Sequence, residues 1–424
     1  MRNIHVFVVD KYSYPVHANR GFCGVKNPKG GGLLGVIADM KAYRIGDYVI
    51  FYHRRVDEKP LDRGFRDVFE IISDPFFDDT DVTFGGRTVY GKCPTCGSPH
   101  SEKFDDDTNE LKCVETACGA VLNGHILPYR VLIKPVLRFD KPLDDNTAYI
   151  DLEDKGELPS LRYRKVSGAG RGRSAQHILP EEADKIIRLL KKVNNNRQSH
   201  NPTNNYISVA QAKPKYLQKT LQISRGSGGL LYYVKKDGTF SSETGLPSWL
   251  NENIDKNTDP VLSNIVGPLS ELEYFGNNVP YGVGGENADL LLLHKKEGVR
   301  FKATIFELKK DQVNEDTVNQ VLDPVWQNYA KWVGQLVTAY VEPLVHNLQI
   351  QPILLGSNVD QTAIDRIIQL QTQYRLFTQE TVIRYFHGAE VKIRVLPPIL
   401  LAYHCNAGNL TLTRANYTTM RVIR

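Results

Sequence analysis

The chain has 424 residues, 41% of them hydrophobic, enough for two or three domains with true cores and too apolar for a disordered protein. Its net charge of +5 and pI of about 8.7 are a mild basic bias, which permits a nucleic-acid partner without requiring one. No apolar run approaches the roughly 20 residues that cross a bilayer, and the opening "MRNIHVFVVDKYSY" is too short in apolar residues for a signal peptide. No membrane partner is expected, and a cytoplasmic location is.

Short strand-like runs come first. "IHVFVV", "DYVIFYHRR", "DVFEII" and "YRVLIKPVLRF" alternate with turn clusters over residues 1–150, the spacing of a small barrel or curled sheet. Inside this region, "CPTCG" holds Cys93 and Cys96, and "CVETACG" holds Cys113 and Cys118. A long chain with such local clustering is no secreted disulfide framework. Four thiolates so spaced can reach one Zn²⁺ at roughly 2.3 Å. The insert "SPHSEKFDDDTNELK" is polar and cannot fold alone, so the metal would staple it. A closed four-sulfur site leaves no open position, which makes a structural role the expectation.

Farther on, "RYRKVSGAGRGRS" sets Arg162, Arg164, Arg171 and Arg173 among glycines. It reads either as a phosphate-tracking loop or as a solvated loop before a helix. Arg54 and Arg55 would extend the same patch. "LPEEADKIIRLLKKV" is a helix, with Ala183, Ile186, Ile187 and Leu190 on one face, Pro180 at its start and acids in its first turn. The Asn-rich "NNNRQSHNPTNN" then marks a linker, taken as 194–215. Residues 206–260 include "GGLLYYVKKDGTF", which either adds to the last domain or connects to it. Beyond lie a helix at about 261–275, strands 288–294 and 300–309, a helix at about 315–341, strand 348–356, helix 361–375 and strand 391–404. Strands alternating with helices specify an α/β sheet.

Strands 288–294 and 300–309 raise a chemical question. Phe301, Ala303, Ile305, Glu307 and Lys309 share one face, apolar for three positions and then charged. "KKEGV" is the natural reversal, with Gly298 free to take positive φ. A hairpin symmetric about it sets Asp289 opposite Glu307, with Cβ atoms about 4.5–5.5 Å apart. Two carboxylates that close need a proton or a cation between them, and Mg²⁺ takes such oxygen ligands. Lys309 could then orient or deprotonate a water, or stabilise charge on a phosphate. The alternative is a strand edge carrying a surface ion pair.

An Asp followed at a distance by Glu-x-Lys on the next strand resembles the PD-(D/E)XK nuclease superfamily, with its restriction-endonuclease-like fold. The resemblance implies Mg²⁺ held by Asp289, Glu307 and the Leu308 carbonyl, and hydrolysis of phosphodiesters. It also implies a further acid on the preceding helix, Glu271 or Glu273 in "LSELEYFG", and a Gln or Tyr on the following helix, Gln320 or Tyr329.

In the first half, Phe22, the run Gly24-Val25-Lys26-Asn27, Gly46-Asp47 and a strand ending Tyr52-His53 resemble the EVE domain of the PUA-like superfamily, a relative of the YTH domains. This implies a base-reading domain over 1–193, with the zinc knuckles inserted at about 91–121. Members of that group flip a modified base between aromatic rings. Tyr12, Tyr14, Phe22, Phe51 and Tyr52, with Asn27, are the available pocket set, although aromatics on a barrel are as readily core.

The whole reads as a multidomain protein: a PUA-like β-barrel with a zinc-ribbon insertion, a linker, and a restriction-endonuclease-like mixed sheet flanked by helices over 216–424. The expected activity is a modification-dependent DNA endonuclease that restricts foreign duplex DNA carrying a cytosine or adenine derivative, 5-methylcytosine among them. Cutting both strands takes two active sites, so a homodimer is expected. An RNA-directed or repair nuclease is the alternative of the same kind. A non-catalytic nucleic-acid-binding protein is the alternative of another kind.

Overall fold

A computed structural model describes residues 3–9, 21–25, 38–53, 64–77, 129–144, 175–198, 245–280, 287–323, 345–384, 390–406 and 409–417, with single residues and short pieces between them. Tyr12, Asn27, Arg54, Arg55, Cys93, Arg162, Arg164, Arg171, Arg173 and Tyr329 lie outside the described residues, as does most of the expected linker.

The first unit is a curled sheet. Its strands are β1 (Ile4–Val9), β2 (Phe22–Val25), β3 (Tyr48–His53), β4 (Gly64–Ile71) and β5 (Phe76–Phe77). Two small hairpins follow, β6 (Thr83–Phe84) with β7 (Arg87–Thr88) and β8 (Glu102–Asp105) with β9 (Glu110–Cys113), and then β10 (Tyr129–Leu137) and β11 (Ala175–Ile178). The order is β11-β1-β3-β4-β10-β2, with β5 beside β10. Among the described strands of that sheet, β1 and β3 run parallel and the other pairs antiparallel. Alternation splits β3 between two cores. Phe51 packs with Phe7, Phe69 and Val131 on one face. Ile50 and Tyr52 pack with Val6 and Phe65 on the other. The helix Pro180–Val193 covers that second face with Ile186, Leu189 and Leu190. Glu182 reaches back to accept from the Leu179 N–H at 3.0 Å, which secures the helix start.

Asp47, just before β3, is 2% exposed. Its carboxylate accepts from the N–H groups of Asn3 (2.9 Å) and Arg44 (3.0 Å) and faces His5 Nε2 at 2.9 Å. Burial outweighs these bonds and pushes its pKa up to about 7. The native state therefore keeps a proton that the unfolded chain releases near pH 4. Stability from this group is complete below about pH 4 and is lost as pH rises through about 7. Denaturation midpoints at pH 5 and pH 8 are expected to fall with pH in the wild type, and Asp47→Asn is expected to flatten the slope. An unchanged slope in the variant would remove Asp47 as its source.

The second unit is a mixed sheet. It comprises β12 (Leu272–Pro280), β13 (Asn287–Lys296), β14 (Val299–Leu308), the short β15 (Gln312–Val313), β16 (Asn347–Gly356), the short β17 (Asn358–Val359), β18 (Glu380–Arg384), β19 (Glu390–Val395), β20 (Ile399–Asn406) and β21 (Asn409–Arg414). The order is β12-β13-β14-β16-β19-β18, with β20 on β16 and β21 on β20. β12, β13 and β14 form an antiparallel meander, and β16 lies parallel to β14. Leu291, Leu293, Ala303 and Ile305 face the helices Glu315–Leu322 and Gln361–Tyr374 through Val318, Val321, Ile367 and Leu370. Leu290, Leu292 and Phe306 face the helices Gly245–Asn253 and Pro260–Val266 through Leu246, Leu250 and Ile265.

Three element boundaries differ from expectation. The helix expected to run to 275 stops at Val266, because Gly267 takes φ 70° and Pro268 follows. Residues 272–280 are then strand β12. The helix from Glu315 ends at Leu322, with Asp323 held extended before Pro324. The single strand expected over 391–404 is two, β19 and β20, split at Pro397-Pro398, which offer no N–H to a ladder. Among the described residues, no helix is long and apolar enough to cross a membrane.

Candidate functional site

The charged hairpin rim closes as its pattern requires. Glu297 (φ 50°) and Gly298 (φ 85°) make a two-residue turn with both residues left-handed, the geometry that matches strand twist. The ladder then runs from Lys296↔Val299 to Leu290↔Phe306. A bulge near His294 absorbs one residue, and continuing one step beyond Leu290 sets Asp289 opposite Glu307.

The side chains converge there. Asp289 Oδ2 accepts the Leu308 N–H at 2.8 Å. Lys309 Nζ donates to Glu307 Oε1 at 2.7 Å and to Gln320 Oε1 at 3.2 Å. Glu307 is 3% exposed and Lys309 27%, so the acid lies inside and the amine meets solvent. Gln320 comes from the helix Glu315–Leu322, which Asn314 caps by accepting the Thr317 N–H at 3.1 Å. The backbone after the lysine is pinned. Lys309 N–H donates to Leu355 C=O at 2.8 Å, and the Tyr403 hydroxyl donates to Lys310 C=O. Gly356 allows the close approach, since a Cβ there would meet the Asp311 oxygen at 2.5 Å.

The set is two carboxylates beside one peptide link, with an ammonium and an amide next to them. Hard oxygen donors of this kind fit a Mg²⁺ ion.

Glu273 is not part of this cluster, and the expectation for it is corrected. It lies on β12 beside the turn end of the hairpin, where its Oε2 accepts from Arg300 Nε at 2.8 Å and its Oε1 faces Lys295 at 3.3 Å. About five residues of strand, roughly 16 Å, separate it from Asp289. The cause is the early helix stop at Gly267, which turns the expected helical acid into a strand residue. Glu271 lies at the same end, 3.8 Å from Lys296.

The aromatic set of the first unit divides. Phe22, Phe51 and Tyr52 are fully buried. Tyr52 faces the core opposite to Phe51, so the two do not line one pocket. Phe22 carries the Arg130 guanidinium on its ring at 4.7 Å. Tyr14 does gather polar company. Its hydroxyl donates to Asp67 Oδ2, its ring meets His53 at 4.7 Å, and Arg66 lies over it at 5.2 Å. Asp67 also receives Arg138 Nε at 2.9 Å and the Phe139 N–H at 2.7 Å. Burial, reinforced by the Asp67 carboxylate, raises the Tyr14 pKa, so the phenol stays protonated and donating. The sequence reading missed Asp67, Arg66 and Arg138. The lone Asp in the apolar "GFRDVFEI" was the available signal.

Cys96, Cys113 and Cys118 bring their sulfurs within 4.8 Å of one another. The Cys96–Cys113 separation of 3.7 Å is far beyond a disulfide, about 2.05 Å, and matches the roughly 3.8 Å edge of a tetrahedron with 2.3 Å metal–sulfur bonds. Local turns hold the second knuckle: Cys118 and Gly119 N–H groups donate to Glu115 C=O, and Cys113 N–H to Ala120 C=O. The donor set fits zinc. Metal analysis is expected to find one zinc per chain in the wild type and a large loss in Cys113→Ser. Equal zinc in both would remove the site.

The chain thus combines a curled sheet with a separate mixed sheet that carries an acid–acid–lysine cluster at one strand end. No protein-family model matches the chain, and no curated protein does. Solved structures do match, each over nearly half of it. A hypothetical protein from Leishmania major is 13% identical, covering 46% of this chain and 97% of its own, with a TM-score of 0.28. A Pseudomonas putida protein is 15% identical over 44% and 98%, at 0.26. Human THYN1, solved in complex with 5-methylcytosine-containing DNA, is 12% identical over 45% and 98%, at 0.27.

Proposed function

We propose that the chain is a magnesium-dependent endonuclease directed to modified DNA. The observation that carries this reading is the register that sets Asp289 opposite Glu307, with Lys309 Nζ 2.7 Å from the Glu307 carboxylate. Asp289, Glu307 and the Leu308 carbonyl would hold the cation. When bound, Mg²⁺ would polarise the scissile phosphate and stabilise the charge that develops on it. Lys309 stands at the solvent side, where its ammonium would orient the attacking water and offset the charge that develops on the phosphate. Gln320 holds the lysine from the next helix. The buried wall behind, Leu291 and Ile305, keeps bulk water off the acids.

The first unit supplies the choice of target, because a centre that meets only phosphates carries no sequence information. This part of the reading rests on the EVE-like run of Phe22 to Asn27 with Gly46-Asp47. The Tyr14–Asp67–Arg138 group, taken from the expected aromatic set, joins a ring to hydrogen-bonding side chains.

Modified and unmodified duplexes are incubated with Mg²⁺, with Asp289→Ala beside the wild type. Metal-dependent cutting of the modified duplex alone, lost in the variant, is the expected result. No cutting of any DNA or RNA would leave only a binding protein. Cutting that ignores modification would keep the nuclease and remove the reader.

A further inference from the structure

The two units are joined along one seam, and its chemistry is unusually complete. Residues 38–47 of the first unit lie across the helix Gly245–Asn253 and β12 of the second. Lys41 Nζ donates to Glu252 Oε2 at 2.8 Å. Arg44 forks onto Asp255 at 2.6 and 2.9 Å and donates to the Asn251 carbonyl at 2.6 Å. Its guanidinium also lies 5.3 Å from the Phe275 ring. In the other direction, the Asn251 amide donates to Ala38 C=O, and the Asn277 amide to Asp39 Oδ1, each at 2.9 Å. Ala42 is packed into the core of the second unit with Leu246 and Leu250.

The seam continues along β12, where His177 of β11 meets the Phe275 ring at 5.1 Å. Glu181, in the first turn of the helix Pro180–Val193, accepts from Arg300 on β14 at 2.6 Å. Together these contacts hold β12 of the second unit against the first unit at several successive positions, from Glu273, the partner of Arg300, to Asn277. The charged groups are also largely withdrawn from water. The Lys41 side chain is 5% exposed, and burial lowers its pKa to about 8 even with Glu252 beside it. Opening the seam would break these directional hydrogen bonds together and expose the apolar contact of Ala42 with Leu246 and Leu250. The seam also reaches the charged cluster. Asn277 pairs with Leu290, the neighbour of Asp289 on β13.

We propose that residues 38–47 are a rigid spacer that locks the first unit to the second and so fixes the distance from the recognised base to the cut. The claim about cutting rests on the nuclease reading above. The claim about rigidity does not.

Two measurements separate them. In the first, end-labelled duplex with a single modified cytosine is cut with Mg²⁺, and the positions are mapped. The wild type is expected to cut at one or two neighbouring positions. Asp39→Ala/Arg44→Ala/Asn277→Ala is expected to spread its cuts over about a helical turn, ~10 base pairs, with total cleavage within about threefold. Arg44→Lys keeps the charge, loses the paired bonds and serves as the milder variant if the triple one does not fold. In the second, probes on unnatural amino acids at the exposed Ile72 and Val382 report the distance between the units without DNA. A single narrow distribution in the wild type, broadened in the variants, supports the spacer. A broad wild-type distribution overturns it, as does a wild-type cut pattern as wide as the variant's. A narrow distribution with no cleavage keeps the rigid seam and overturns the nuclease.

Discussion

Glu307→Gln is expected to lower magnesium-dependent cleavage by at least about 10²–10³-fold, the scale on which preorganised electrostatic groups act, while the fold survives. Glutamine keeps the shape of the buried side chain and an oxygen for Lys309, so packing in the apolar wall is unchanged. It loses the charge that would bind the cation. Asp289→Asn tests the same point from the other strand, since it retains an acceptor for the Leu308 N–H. Gln320→Ala should cost less, about 10–100-fold, because Gln320 acts through Lys309 at 3.2 Å. Substrate binding and thermal unfolding are followed in parallel. Full cleavage by both carboxamide variants, with folding intact, would show that the acids are only an ion-paired strand end.

Arg300→Met is expected to destabilise the chain by about 3–5 kcal/mol, as breaking a buried charge pair from one side does. The side chain is 2% exposed and bonds both Glu273 and Glu181. Burial works against its charge, yet the two acids more than compensate, and its pKa lies above the usual value. Without the guanidinium, Glu273 keeps only Lys295 at 3.3 Å, and Glu181 loses its bond to the second unit. Methionine fills the volume, so the loss reports charge and not a cavity. Urea denaturation measures it; a change below about 1 kcal/mol would mean that solvent takes over the arginine's role.

The legible parts of the molecule were those fixed by local rules. Alternation along 300–309 placed Glu307 and Lys309 on one face and the Glu-Gly reversal placed the turn, but the bulge near His294, which moves Asp289 from opposite Phe306 to opposite Glu307, had no local signal. The early stop at Gly267-Pro268 was also written in the residues, but the apolar spacing of "LSELEY" reads equally as helix or strand, and pairing with β13 decides it. β18 and β21 were missed because short half-exposed strands become strands by hydrogen-bonding to β19 and β20. The Glu181–Arg300 bond spans 119 residues, and no local pattern announces a partner that far away. The aromatics of β3 illustrate a related limit. Composition offers rings for a pocket, and only the sheet's two faces show that Phe51 and Tyr52 look away from each other.

The seam has a consequence for the order of events at the ribosome. Lys41 and Arg44 precede Glu252 and Asp255 by 211 residues. At about 5–20 residues per second, that is roughly 10–40 s of translation during which the early half can fold by itself. Its basic pair is then displayed before any acidic complement has been made, and the later half arrives onto a finished template. Asp289 and Glu307 emerge later still, so the two acids come together only after every strand of the first unit has been made.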